Sequence, residues 1–278
     1  MKVIIVGGGI GGAAAALALL HEGIGVELYE RTGEISEIGA GLQIAANASR
    51  VLRRLGLGQE LERVGVPARR VSMCDLRTDR ELHVTPLGEA GAARYGDGFY
   101  QVHRPDLLEM LAGALPRGIV HLNERATGFR QDEAGVTVEF ESGHIARGDV
   151  LVGADGIHST VRRQLLGEQE LEFARLVAWR ALIPVARAAS LGLEPDCHVW
   201  WGPDRSAVVY WVRAMELLAN LPEGIARPQS RRALRRVGAG AKAQWCCVER
   251  AQHRRRSARR LPAGGSLSRR GRCCSSVV

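Results

Sequence analysis

Hydrophobic and polar positions follow recognisable periods over the first two hundred residues and then lose them. Lys2 to Val6 is a β-branched run ending in glycine, Ile10 to Glu22 is rich in Ala and Leu and predicts a helix, and Val26 to Tyr29 is apolar again. Together they predict a βαβ opening. A glycine loop at Gly39 to Gly41 leads to a predicted helix from Ala46 to Leu55. Arg104-Pro105 starts another, with Leu107, Leu108 and Leu111 on one face. Between Arg125 and Phe140 two alternating runs flank Asp132 to Gly135 and predict a hairpin. Asp149 to Val152 reads as a short buried strand. It delivers the chain into Gly153-Ala154-Asp155-Gly156, ahead of a helix from His158 to Leu166.

A second unit is expected to begin near Gly167. Leu176 to Val185, His198 to Trp201 and Ala207 to Val212 read as strands of a second sheet, and Trp179, Trp200, Trp201, Tyr210 and Trp211 gather there, with core packing expected of Trp179 and Trp201 ahead of lining a pocket. Beyond about Met215 neither helical nor strand periodicity persists. That stretch carries arginine runs at Arg231-Arg232, Arg235-Arg236, Arg254 to Arg256 and Arg259-Arg260. Little apolar content with charge of one sign does not offset the entropy of ordering a backbone.

The 278 residues suffice for one large domain or two smaller ones, and 24% charged with 46% hydrophobic residues is ordinary globular composition. The net charge of +8 is unevenly placed. From Arg213 onward sixteen basic residues face three acidic ones, a net +13, which leaves −5 for residues 1–212. The tail offers phosphates a sequence-independent attraction, but it lacks interleaved aromatics and a reading helix, so no specific nucleic acid is expected. The uncharged stretch Val3 to Leu20 contains five glycines, which argues against a signal or membrane segment. No membrane partner is expected, and the cytoplasm is the default compartment. Six cysteines include the adjacent pairs Cys246-Cys247 and Cys273-Cys274 but no CxxC, so reduced thiols are expected and no metal.

The chemistry-bearing residues begin with Gly7-x-Gly9-x-x-Gly12, placed between a predicted strand and a predicted helix as a dinucleotide fingerprint requires. Gly7 permits the turn, Gly9 lets a pyrophosphate approach the backbone, and Gly12 lets the helix sit close to the strand. The helix start then offers N–H groups and positive dipole to phosphates. Glu30 follows Gly12 by eighteen residues, where a carboxylate accepts hydrogen bonds from ribose hydroxyls and disfavours a 2′-phosphate. NAD and FAD both satisfy this pattern. Asp155 is placed either to bond cofactor hydroxyls or to cap the following helix, and Arg104 either to hold a phosphate or to lie solvated at the surface. Neither His158 nor His198 is assigned a catalytic role.

Gly7 to Gly12 with Glu30-Arg31, Glu37-Ile-Gly-Ala-Gly-Leu-Gln43, Val102-His-Arg-Pro-Asp-Leu107 and Gly153-Ala-Asp-Gly-Ile-His-Ser-Thr-Val-Arg162 together resemble the class A flavin-dependent monooxygenases. The likeness runs through roughly residues 1–212 and is greatest to salicylate and 3-hydroxybenzoate hydroxylases. The resemblance implies an α/β fold: a Rossmann-like FAD-binding domain over 1–70 and 97–167, and an incomplete β-rich substrate domain over 71–96 and 168–213. A basic tail over 214–278 completes the division. It further implies FAD contacts at Gly7, Gly9, Gly11, Gly12, Glu30, Arg31, Gly41, Arg104, Ala126 and Asp155, with NAD(P)H as co-substrate and molecular oxygen and a small aromatic, phenolic acid as reactants. No catalytic residue is implied. The family's third flavin motif, Gly-Asp before a helix, has no counterpart after Asp149. Residues after about Met215 to Pro228 are therefore expected to be truncated or out-of-frame sequence, and without that motif activity of this chain is not implied. Two other readings stay open on the residues alone: an NAD-dependent dehydrogenase, and a non-specific nucleic-acid binder acting through its tail.

Overall fold

A computed structural model describes residues 1–36, 41–169, 178–184, 193–203, 206–213 and 216–222 of the chain. It opens with β1 (Lys2–Val6), α1 (Ile10–His21) and β2 (Gly25–Tyr29), then β3 (Gly41–Ile44), α2 (Ala46–Arg54), α3 (Gly58–Val64), β4 (Gly65–Pro67), β5 (Arg70–Asp75) and β6 (Glu81–Pro86). There follow α4 (Glu89–Tyr95), β7 (Tyr100–His103), α5 (Arg104–Gly113), β8 (Val120–His121), β9 (Ala126–Asp132), β10 (Gly135–Phe140), β11 (Ile145–Gly148), β12 (Val150–Gly153) and α6 (Thr160–Leu166). The last strands are β13 (Ala178–Pro184), β14 (Cys197–Trp201), β15 (Ser206–Arg213) and β16 (Glu216–Pro222).

The first sheet has the order β12-β1-β2-β8, with every pairing parallel. Both faces of β1 are covered, which is why Val3 to Val6 is continuously apolar rather than alternating. Val3 and Ile5 pack with Ala13, Ala16 and Leu17 of α1 and with Leu107, Leu108 and Leu111 of α5. Ile4 and Val6 face the other way, onto the antiparallel sheet β11-β10-β9 through Val136, Val138 and Phe140. The layers are thus helix, parallel sheet, antiparallel sheet, and the βαβ opening, the α5 face and the hairpin all lie where the residue pattern put them.

A six-stranded sheet, β13-β16-β15-β14-β5-β6, forms the second unit and joins residues 70–86 to residues 178–222. Its two faces are separate: Cys74, Trp200, Ala207 and Val209 pack on one, Cys197, Tyr210 and Val212 on the other. The small sheet β3-β7-β4 lies between the units, because Gly41 of β3 meets Tyr210 and Val212 of β15.

Three expectations are corrected. β12 is not buried; within the described sheet it is an outer strand, and Val150 is exposed. Trp201, read as a core residue, is 52% exposed, while its neighbour Trp200 fills the core by the alternation of side chains along a strand. The patternless tail yields one further strand, β16, paired on both sides to β13 and β15. Leu217-Leu218-Ala219 is apolar at successive positions, so there is no period-two alternation in it to read. The rest of the tail, including its cysteine pairs and arginine runs, lies outside the described residues, as do residues 37–40 with Gly39 of the second glycine cluster. Among the described residues no helix is long and apolar enough to cross a membrane.

Candidate cofactor-binding site

The glycine loop leaves β1 between its neighbours β12 and β2, at the carboxyl end of the parallel sheet where such folds bind ligands. Gly7 has φ of +109° and donates its N–H to the Tyr29 carbonyl at 2.8 Å. A Cβ on Gly7 would stand 2.2 Å from the Ala154 carbonyl oxygen, and one on Gly12 would stand 1.8 Å from the Gly7 carbonyl oxygen. Both glycines are therefore demanded by the close approach of loop, helix and β12. Gly9 is the N-cap of α1 and supplies no side-chain cap. The first-turn N–H groups of the helix are consequently left for an outside acceptor. Nothing lies within 4 Å of a Cβ built on Gly11, so the space over the helix start is open. These features fit an anionic diphosphate.

Glu30 follows the last residue of β2 and turns back across the loop. Its Oε2 accepts the Gly8 N–H at 2.6 Å, and its Oε1 accepts the Thr32 N–H at 3.0 Å. A Cβ on Gly8 would lie 2.9 Å from the Glu30 Cβ. Gly8 was not singled out from the sequence, since its reason is a contact with a residue twenty-two positions away. Arg31 is exposed beside Glu30. Behind the carboxylate Tyr29 is buried, stacked on Phe140 and His121 with centroids 4.5 and 4.6 Å apart, and its hydroxyl donates to Glu27 at 2.8 Å. Burial, with the hydrogen bond to Glu27, pushes the Tyr29 phenol well above its ordinary range. Burial also opposes charge on Glu27, yet hydrogen bonds from Lys2 and Tyr29 outweigh it and hold the carboxyl below its ordinary value.

The other expected positions fall in three places. Asp155 follows β12, and the Ala154 N–H before it bonds the Val6 carbonyl at 2.7 Å, so the Asp-Gly motif abuts the glycine loop. Its carboxylate, however, accepts the Ser159 hydroxyl and the Thr160 and Val161 N–H groups, the latter two at 2.7 and 3.3 Å. With Ser159 accepting the Arg162 N–H at 2.9 Å, these bonds cap α6, the alternative role weighed for Asp155. Arg104 opens α5 and is half-buried, and its neighbour His103 pairs with Gly41 across β7 and β3. Gly41 is buried, and a Cβ there would lie 2.3 Å from Val212 Cγ1 and 2.6 Å from Tyr210 Cε2. Its smallness thus serves the junction of the two units. Ala126 is buried among Tyr29, Val136 and Phe140.

That junction holds polar groups that no local motif announced. Gln43 donates to the Cys197 sulfur at 3.0 Å, and the Trp211 N–H donates to Gln101 Oε1 at 2.8 Å. Burial pushes the Cys197 thiol up to about 11. A cavity of about 1130 Å³ opens nearby between α3–β4 and α5, reaching Trp211 and Pro195. It shares no residue with the glycine loop. Among the described residues no group of His, Cys, Asp and Glu is arranged to hold a metal ion.

Comparison with known proteins agrees with this geometry. An FAD-binding-domain family matches residues 1–252. A 6-hydroxynicotinate 3-monooxygenase of Bordetella bronchiseptica is 33% identical over 211 residues, 76% of this chain and 55% of the relative. A 3-hydroxybenzoate 6-hydroxylase of Polaromonas naphthalenivorans is 36% identical over 221 residues, again 76% and 55%. The crystal structure of Klebsiella pneumoniae HpxO with FAD and uric acid superposes with a TM-score of 0.71 at 31% identity, covering 82% of this chain and 58% of that one. The chain spans little more than half the length of these relatives.

Proposed function

The chain belongs to the FAD-binding-domain family of class A flavoprotein monooxygenases, and we propose on that basis that it binds FAD and serves the hydroxylation of a small aromatic acid. One observation carries the cofactor half: an uncapped helix start with open space above it, faced by the Glu30 carboxylate. FAD, reduced by NAD(P)H, would supply the activation of molecular oxygen for insertion into the ring.

The chain's own residues bind, orient and shield. The loop from Gly7 to Gly12 presents N–H groups to the diphosphate, and Glu30 receives the adenosine ribose. Arg31 stands at the exposed rim beside Glu30, and the guanidinium of Arg104 offers planar donors to a phosphate. On the second sheet, the apolar face around Val71, Leu182, Val199 and Val208, next to the part that Gly41 covers at Tyr210 and Val212, would offer a flat ring a wall from which water is excluded. Relatives named for 6-hydroxynicotinate, 3-hydroxybenzoate and urate share a planar substrate with an acidic group, which supports a phenolic or heteroaromatic acid here. The two described cysteines, Cys74 and Cys197, are buried free thiols, in keeping with the reducing cytoplasm we assign.

The test is direct. The purified chain should be yellow, with flavin absorbance at about 450 nm, and should oxidise NADH or NADPH faster when a salicylate-like phenol is added. Colourless protein that takes up NAD but not FAD would overturn the proposal in favour of a dehydrogenase.

A further inference from the structure

Glu30 is held on both sides. A carboxylate offers about four lone-pair directions; the Gly8 N–H occupies one on Oε2 at 2.6 Å and the Thr32 N–H one on Oε1 at 3.0 Å. Two directions are left, as many as a ribose has vicinal hydroxyls. What holds Thr32 in place is its own hydroxyl, which has one proton and two acceptors in reach: the Glu34 carbonyl at 2.6 Å and Glu30 Oε1 at 3.0 Å. The shorter contact takes the proton and closes a tight turn over residues 32–34. On the other side of this turn the Asn123 N–H bonds the Thr32 carbonyl at 3.0 Å, and the Glu124 N–H bonds the Glu30 carbonyl at 2.9 Å. The backbone around Glu30 is thereby pinned by the segment after β8, and the side chain by Gly8 and Thr32.

We propose that Thr32 is a positioning residue for the adenosine ribose: its hydroxyl fixes the turn that aims the Thr32 N–H at Glu30, so that the carboxylate presents its remaining lone pairs to the sugar diol. This role rests on the cofactor reading above. Thr32 is exposed and lies outside the packed core, so its substitution leaves the surrounding layers intact. A residue acting through Glu30 alone affects only those ligands that have hydroxyls to offer.

The measurement is the affinity of the full chain for ADP and for 2′,3′-dideoxy-ADP, by calorimetry, in wild type, Thr32→Val and Thr32→Ser. Wild type should prefer ADP. Thr32→Val should bind dideoxy-ADP as wild type does while its preference for ADP shrinks by about three- to tenfold, the size of one hydrogen-bonding contribution. Thr32→Ser should retain the preference. An ADP to dideoxy-ADP ratio in Thr32→Val equal to that of wild type would overturn the role of Thr32, whether both affinities stay constant or fall together. A wild-type chain that does not distinguish the two nucleotides would overturn the placement of the ribose on Glu30 itself.

Discussion

Gly12 lies directly under Gly7, so closely that a methyl group on Gly12 would stand 1.8 Å from the Gly7 carbonyl oxygen. Gly11, its immediate neighbour, has nothing within 4 Å of the same construction. The two adjacent glycines should therefore respond in opposite ways. Gly12→Ala must displace the loop backbone, and we expect a loss of stability of the order of 3 kcal/mol together with loss of FAD binding. Gly11→Ala removes a flexible residue from a helix, so it should stabilise the chain by up to about 1 kcal/mol, yet its methyl enters the open space over the helix start and should weaken FAD binding. Denaturant melts and flavin titration of both variants decide the matter; a well-folded Gly12→Ala that binds FAD would contradict it.

Gly41 is the point of closest approach between the small sheet and the second unit. An added Cβ would meet Val212 Cγ1 at 2.3 Å and Tyr210 Cε2 at 2.6 Å, both on a strand buried on this face. Gly41→Ala is expected to cost about 1–3 kcal/mol. Val212→Ala removes the nearer obstacle, so the double variant should be more stable than the sum of the single effects predicts, with a coupling of about 0.5–3 kcal/mol. Strict additivity in a denaturation cycle would show that Gly41 is not held by this packing.

How much of this was legible depends on how far apart the interacting residues lie. β1, the glycine turn, α1 and β2 form one local unit of under thirty residues, and each part carries its own signal in period or turn chemistry. The α5 stripe and the β9–β10 hairpin were legible for the same reason. The parallel pairing of β5 with β14 was not, since it joins Val71 to Cys197 across the whole first unit. The need for a glycine at position 8 was hidden likewise, because the residue that forbids a side chain there is Glu30. The packing demand on Gly41 was hidden in the same way, because the residues that keep it small are Tyr210 and Val212 of a distant strand. Trp201 was misjudged because a run of two tryptophans does not reveal which of them the pleat turns inward.

Asp155 is placed so that both of its oxygens serve the start of α6, through Ser159, Thr160 and Val161. Asp155→Ala should therefore destabilise the chain by about 0.5–2 kcal/mol, as loss of a helix cap does. Asp155→Asn keeps an acceptor oxygen and should recover most of that. Hydrogen exchange supplies the local readout: the Thr160 and Val161 amides should exchange faster in the alanine variant than in wild type. Unchanged protection there would mean that the cap is not what holds the helix.

His198 should make the second unit acid-sensitive. It is buried on β14, with Nε2 3.3 Å from the Glu194 carbonyl and its ring stacked on Trp200 at 5.8 Å. Burial is the main cause that lowers its pKa below the ordinary 6.5; Arg70 acts in the same direction, whereas Glu194 and Asp196 act against it. A depressed histidine pKa means that the unfolded chain takes up the proton first. Stability is then complete above about pH 6.5 and declines as pH falls below it toward the folded value, by at most about 1.4 kcal/mol per pH unit. Below the folded pKa the decline from this group ends, because both states are protonated. His198→Gln keeps a donor for the Glu194 carbonyl but carries no titrating ring, so its melting temperature should vary less between pH 7 and pH 5 than that of wild type. Carboxylates held below their ordinary values, such as Glu27 and Asp75, contribute to acid sensitivity in both proteins and cancel in the comparison. Parallel curves for the two chains would assign the acid loss to those carboxylates and remove His198 from the account.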